Sequence, residues 1–456
     1  MTCYRLWLIL WAGLLSFTAN AAASNNDITW KTLTAHVQML ALLPEQTLLR
    51  QQLSMLNSAQ SLGVVTQRAL EEEIANFWQR QGVDIPYSAL SPASSPLQRA
   101  IALEPQAAQY QAVVNRIQYL LWLQQQAWPI LQPSGWLRPG DNHPLMPQIT
   151  QRLLWLGDLS RYPENGYDYT EDIAEAVRHF QARHGLKVDA VIGPQTLRWL
   201  NVSPLQRASI LARDFVAETV YRQKLSDSYI LVNVPAYQLS LVESGQVVLQ
   251  SKAIVGRPYR KTPLLQSVIS SVVLNPGWHV PRSILRRDIL PKIRQDGNYL
   301  QEREFTVVDY AGQQIEKSPE EWQQLAHERF PYRLIQQPGN LSALGRFKFH
   351  FLNSFDVYLH DTPDKQLFAR HDRALSSGCV RVEKSFELAQ WLIQHRVADV
   401  RKWDNMQDNF HTTQWFALKQ PLPVYIVYWT SWIDGQGVAQ FRDDVYKKFS
   451  TTDELR

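Results

Sequence analysis

His360 and Cys379 are the two residues of this sequence best placed to do covalent chemistry. The histidine sits in Tyr358-Leu359-His360-Asp361-Thr362-Pro363, and the cysteine closes Arg373-Ala374-Leu375-Ser376-Ser377-Gly378-Cys379-Val380-Arg381. A thiol with an imidazole a short loop upstream has the parts of a nucleophile and its base. An imidazole that takes the thiol proton yields a thiolate–imidazolium pair, which raises reactivity above that of a free thiol with a pKa of roughly 8.5. The separation lets one strand end at His360 and a loop return to Cys379. Glycine before the nucleophile permits close backbone approach, so the N–H groups of Gly378 and Cys379 are candidate oxyanion donors. Arg381 is suited to hold a substrate carboxylate or carbonyl, or to support the loop.

The first residues sharpen the case for that thiol. Arg5 precedes an apolar run from Leu6 to Phe17, and Ala19-Asn20-Ala21 has the small-x-small form of a signal peptidase site. Residues 1–21 therefore read as a signal peptide, too short in its apolar run for a comfortable membrane span. Of the two cysteines, Cys3 is removed with that segment and Cys379 remains without an intramolecular disulfide partner. A buried small hydrophobe or an intermolecular bridge is the plain alternative for it. His371, in a polar loop, and His279, beside Trp278, are rival imidazoles. One thiol and dispersed histidines lack zinc-ligand spacing, so no metal and no cofactor is expected.

Stepping outward to what must position these residues, 456 residues are too many for one core and suit two or three domains. A formal charge of +4 without a Lys/Arg block argues against nucleic acid as a partner. Residues 22–144 read as a helical scaffold, with one helix over Gln67–Gln81 and a clearer one over Glu104–Ala127. Residues 145–201 form a compact unit of three short helices around Leu153, Leu156, Val177, Phe180, Leu197 and Leu200, with the Thr170 hydroxyl as a cap. A linker helix is assigned to 202–227. From Ser228 the texture is that of strands: Tyr229–Pro235, a hairpin joining Gln238–Val242 to Gln246–Ile254, then Val268–Leu274. Residues 282–340 interrupt them with mixed helical and strand character. Alternation places Tyr358 and His360 on one face of a strand. Ser385 caps a helix after the cysteine, and 401–456 is read as a closing strand and tail packed on the β domain. The fold class is multi-domain α+β.

The cysteine motif resembles that of the L,D-transpeptidase catalytic domain, a histidine followed after a loop by Ser-His/Ser-Gly-Cys-x-Asn/Arg, here His360 and then Ser376-Ser377-Gly378-Cys379-Val380-Arg381. Serine at 377, where histidine is commoner, is similar to the large multi-domain periplasmic branch and leaves His360 as the base. Asn233-Val234-Pro235, Val255-Gly256-Arg257, Asn275-Pro276-Gly277-Trp278 and Ala343-Leu344-Gly345 extend the likeness over 228–400. The unit at 145–201 resembles the peptidoglycan-binding three-helix domain through Leu156-Gly157, Phe180-Gln181, Gly185-Leu186, Asp189 and Gly193-Pro194-Gln195-Thr196-Leu197.

The resemblance implies a mostly β catalytic domain with 282–340 as a capping lid. It further implies that the Asp361 backbone carbonyl orients the imidazole, and that Arg381, Tyr358, Ser377, Trp278 and Ser376 meet substrate. Peptidoglycan stem peptides are the implied partners: a tetrapeptide donates its diaminopimelate carbonyl to Cys379, and a second stem resolves the thioester as a 3→3 cross-link. Acylation by carbapenem-type lactams, a periplasmic location, a part in cell-wall biogenesis and cell shape, and contact with other cell-wall synthesis enzymes are implied too. The mature form is expected to have no membrane segment. Two further readings stand beside this one: an envelope cysteine peptidase or L,D-carboxypeptidase, and a non-catalytic wall-binding adaptor.

Overall fold

The structure, a computed structural model, describes residues 26–58, 63–163, 166–406 and 408–449. The signal peptide assigned to 1–21 lies outside the described residues. The chain divides into two compact units: one formed by residues up to Lys224 together with those from Trp429 onward, the other by Leu225–Tyr428. Among the described residues, no helix is long and apolar enough to cross a membrane.

The first unit is helical. Helices α1 (26–41), α2 (Thr47–Ser58), α3 (Val64–Arg80), α4 (Pro96–Ala102) and α5 (Tyr110–Leu123) precede α6 (Met146–Leu156), α7 (Glu171–Arg183), α8 (Pro194–Asn201) and α9 (Pro204–Arg222). The helix expected from Glu104 begins only at Tyr110. Helix α4, not anticipated, starts on a reciprocal cap between Ser95 and Gln98. Leu153, Leu156, Val177, Phe180 and Leu200 are buried together as expected, while Leu197 packs on them only half-buried. The Thr170 hydroxyl makes no capping bond. Gln181 explains several of the motif positions: its amide bonds the backbone of Asp189, Ala190 and Val191 and reaches Thr196, knitting the turn before α8 to α7.

The second unit is built on a nine-stranded sheet. Its strands are β1 (Tyr229–Asn233), β2 (Gln238–Glu243), β3 (Gln246–Gly256) and β4 (Leu265–Leu274), then, after β5 (Trp278–His279), β6 (Phe305–Val308) and β7 (Arg333–Gln336) of the insertion, β8 (Phe347–Phe351), β9 (Leu359–His360), β10 (Ala374–Ser376), β11 (Val380–Val382) and β12 (Gln414–Val427). The order is β10-β3-β11-β9-β8-β4-β12-β1-β2, and β2 pairs with β3 as well, closing the sheet on itself. β-Branched and aromatic residues fill the inward positions, among them Ile230, Val232, Val272, Phe349 and Val424.

The insertion has its own core of Leu285, Ile289, Ile293, Leu300, Trp322 and Leu334. Its first stretch is helical as expected, but one turn at Leu285–Ile289 is a π-helix. It also holds the Ser318-capped α-helix Pro319–His327, and β5, β6 and β7 form a separate small sheet.

The C-terminal tail is a correction. The strand expected from Pro423 to Tyr428 is the end of β12, between β4 and β1, while residues from Trp429 onward belong to the helical unit. There β13 (Ser431–Ile433) pairs with β14 (Ala439–Phe441), and Ile433, Ala439 and Phe441 join the helical core. The reason is polar as well as apolar: buried Asp214 accepts the Thr430 N–H at 2.7 Å and hydroxyl at 2.6 Å, so the tail satisfies a carboxylate that α9 leaves inside.

Candidate active site

Strand register brings the chemistry together. β9 runs between β11 and β8, with Val380 opposite Leu359, Arg381 opposite His360, and Lys348 opposite His360 on the other side. Cys379 therefore lies beside Tyr358, one residue before the ladder, with the Val380 N–H donating to the Tyr358 carbonyl at 3.1 Å. Tyr358, His360, Cys379 and Arg381 all line one cavity of about 560 Å³, together with Trp278, Ser376 and Ser377. His279 and His371 are not among its lining residues.

The thiol is half-buried and has no disulfide partner. Burial pushes it up from its ordinary pKa, while hydrogen bonds from the Tyr358 N–H and hydroxyl, and the charges of Lys348 and Arg381, act in the opposite sense. Trp278 in turn bonds the Tyr358 phenol, so of two residues expected to meet substrate Tyr358 bonds the sulfur and Trp278 supports Tyr358. Lys348 was not singled out from sequence. Its ammonium lies 4.2 Å from the centre of the Tyr358 ring, and the β8–β9 register that sets Lys348 opposite His360 puts the two on one face.

His360 is 5% exposed and its ring meets that of Tyr358 edge-on, with centroids 5.5 Å apart. Burial first, then the neighbouring Arg381, lower its pKa to about 3. Burial of both groups favours the neutral thiol and the neutral imidazole, against the ion pair expected from sequence. A neutral imidazole is still in the state that accepts a proton. The Asp361 carbonyl bonds the imidazole and favours its protonated form, but Nδ1 makes no hydrogen bond of ordinary geometry.

The Asp361 carboxylate, which sequence reading did not use, anchors this corner. It accepts the Arg346 N–H at 2.9 Å and the Ser385 hydroxyl at 2.7 Å, and pairs with Lys365. Ser385 is thus not a helix cap. Helix Ser385–Arg396 starts after Lys384, and the hydroxyl is drawn to the buried carboxylate instead. Gly345 passes over that carboxylate with φ +60°, where an added Cβ would overlap it. Gly345→Ala is expected to destabilise the protein by about 2 kcal/mol and to slow thiol acylation about tenfold, because Asp361 must shift and His360 with it. Thermal melts and acylation rates both matching the parent would contradict this.

The nucleophile loop brings a second correction. Gly378, at φ +126°, donates its N–H to Ser376 Oγ at 3.1 Å and is therefore not a free oxyanion donor in this conformation. The Ser376 hydroxyl donates onward to the Cys379 carbonyl at 2.5 Å, so it shapes the loop. Thr262 bonds the Gly378 carbonyl at 2.8 Å from the far side. Ser377 Oγ accepts from Arg260 at 2.8 Å, and the same guanidinium nitrogen pairs with Asp288 of the insertion. Arg381 stands 3.6 Å from Asp364.

Comparison with known proteins places both regions. Residues 227–403 match the family model described as "L,D-transpeptidase catalytic domain", and residues 142–200 match that of the "Putative peptidoglycan binding domain". A Haemophilus influenzae protein described as "Putative L,D-transpeptidase" is 38% identical over 214 residues, which cover 47% of this chain and 43% of that protein. The matched stretch thus spans less than half of that relative. Among solved structures, the L,D-transpeptidase of Xylanimonas cellulosilytica is similar at 16% identity and a TM-score of 0.21, covering 65% of this chain and 100% of that one. The Stackebrandtia nassauensis L,D-transpeptidase is similar at 12% identity and a TM-score of 0.25, covering 65% and 97%.

Proposed function

We propose that this chain, which carries an L,D-transpeptidase catalytic domain at residues 227–403, cross-links peptidoglycan stem peptides in the periplasm through a thioester on Cys379. The observation that carries the reading is the convergence of Cys379 and His360 on one cavity, part of whose wall comes from the inserted segment.

Cys379 Sγ attacks the diaminopimelate carbonyl of a donor tetrapeptide as its proton passes to His360. The Cys379 N–H and the Tyr358 hydroxyl receive the developing oxyanion. The C–N bond to the terminal D-alanine then breaks, the proton on His360 goes to the departing amine, and a thioester remains. The side-chain amine of a second stem gives a proton to His360 and attacks the thioester. Thiolate leaves, is reprotonated, and a 3→3 amide bond has formed. The insertion covers the acyl-enzyme and limits water, the competing acceptor. The domain at 142–200 holds the enzyme on its polymeric substrate.

Incubation with disaccharide-tetrapeptide and mass spectrometry of the products tests this directly. A dimer lacking one alanine is the expected product. Hydrolysed monomer alone would replace the transferase by an L,D-carboxypeptidase, and unchanged substrate with an unlabelled thiol would leave a wall-binding adaptor.

A further inference from the structure

The cavity is strongly unbalanced in charge. Five basic side chains line it, Arg257, Arg287, Lys292, Arg303 and Arg381, against two carboxylates, Asp288 and Asp364. Both acids have partners: Asp288 pairs with Arg260, outside the lining, and Asp364 stands 3.6 Å from Arg381 within it. Among the described residues, Arg257, Arg287, Lys292 and Arg303 have no carboxylate partner. Lys292 makes only a 3.3 Å contact with the Tyr299 hydroxyl. Three of these four belong to the insertion and line the same cavity as Cys379, and like charges gathered in one cavity repel one another. Burial first, and the neighbouring Arg257 after it, lower the pKa of Arg381, against the opposing charge of Asp364.

We propose that Arg287, Lys292 and Arg303, with Arg257, form a carboxylate-reading wall, making the enzyme selective for donor peptides whose carboxylates flanking the scissile amide are free rather than carboxamides. A carboxylate gives charge-assisted bonds to guanidinium and ammonium groups, about twice as strong as neutral ones. A carboxamide offers the same groups one neutral oxygen and turns two N–H donors toward cations. The wall holds carboxylates that take no part in bond-making or bond-breaking, so its contribution falls mainly on KM and less on kcat.

The inference rests on the transpeptidase reading, and one experiment separates their failures. Two synthetic tetrapeptide donors, identical except for carboxylate or carboxamide beside the scissile bond, are reacted with the full chain while Cys379 acylation is followed by mass. The parent is expected to favour the acid form by about tenfold in kcat/KM, mostly through KM. Arg287→Gln, Lys292→Gln and Arg303→Gln combined are expected to bring the two donors near parity, and added salt to weaken the parent's preference. Equal acylation of both donors by the parent, or a preference that survives the triple variant or high salt, overturns the wall while leaving the reaction standing. Acylation by neither donor overturns the reaction, and the wall with it.

Discussion

Cys379→Ser is expected to abolish thioester formation and lower turnover by at least about 10⁴-fold, the scale seen when a nucleophile is removed from a unit that acts as a whole. The substitution changes one atom, yet the serine hydroxyl is far harder to ionise than a thiol. Among the described residues, the imidazole that lines the cavity with the nucleophile is His360, whose pKa is lowered to about 3, too weak a base to compensate. Lys348, Arg381 and the Tyr358 hydroxyl together favour negative charge on sulfur, and a neutral hydroxyl makes little use of them. The fold should survive, since Cys379 is half-buried and no disulfide depends on it. The check is intact mass after exposure to a tetrapeptide donor or a carbapenem-type lactam: an adduct on the parent and none on the variant. An adduct of equal yield on the serine variant would show that another residue is the nucleophile.

His360→Gln is expected to cost about 10²- to 10⁴-fold in acylation at neutral pH, the usual contribution of a positioned base. The pH dependence carries the sharper information. A base lowered to about 3 is unprotonated throughout the neutral range, so the parent should show no acid limb near 6.5. Because burial raises the thiol, the parent rate keeps rising toward alkaline pH as the thiolate fraction grows. Without the imidazole, attack depends on that fraction alone, and it grows about tenfold per pH unit below the thiol pKa. The deficit of the variant should therefore shrink as pH rises. Acylation rates measured between about pH 5 and 10 decide it. A parent profile with its acid limb near 6.5 would mean that the imidazole is not held neutral as its burial dictates. A deficit constant with pH would assign His360 a structural role only.

The insertion bears on both results. Arg260 bonds Ser377 beside the nucleophile and Asp288 of the insertion with one nitrogen, so the loop that carries Cys379 is tied to the insertion.

Much of this was written locally in the chain. The spacing of His360 and Cys379, the glycine before the thiol, the three-helix pattern over 145–201 and the switch to strand texture at Ser228 are short-range features, each readable from side-chain type and periodicity. Alternation alone put Tyr358 and His360 on one face. What alternation cannot state is the neighbour across the ladder, because pairing register depends on segments far apart in sequence. So Lys348 beside His360, Trp278 behind Tyr358 and the Asp361 carboxylate under Gly345 appeared only in the folded protein. The same holds for the ionisation of the pair. Sequence supplied a thiol and an imidazole, but only burial, a property of the whole packed domain, decided that both rest neutral. The tail shows the limit most plainly: nothing local marks Thr430 as the partner of Asp214, and it took a buried carboxylate in need of donors to draw the chain's end into the helical core.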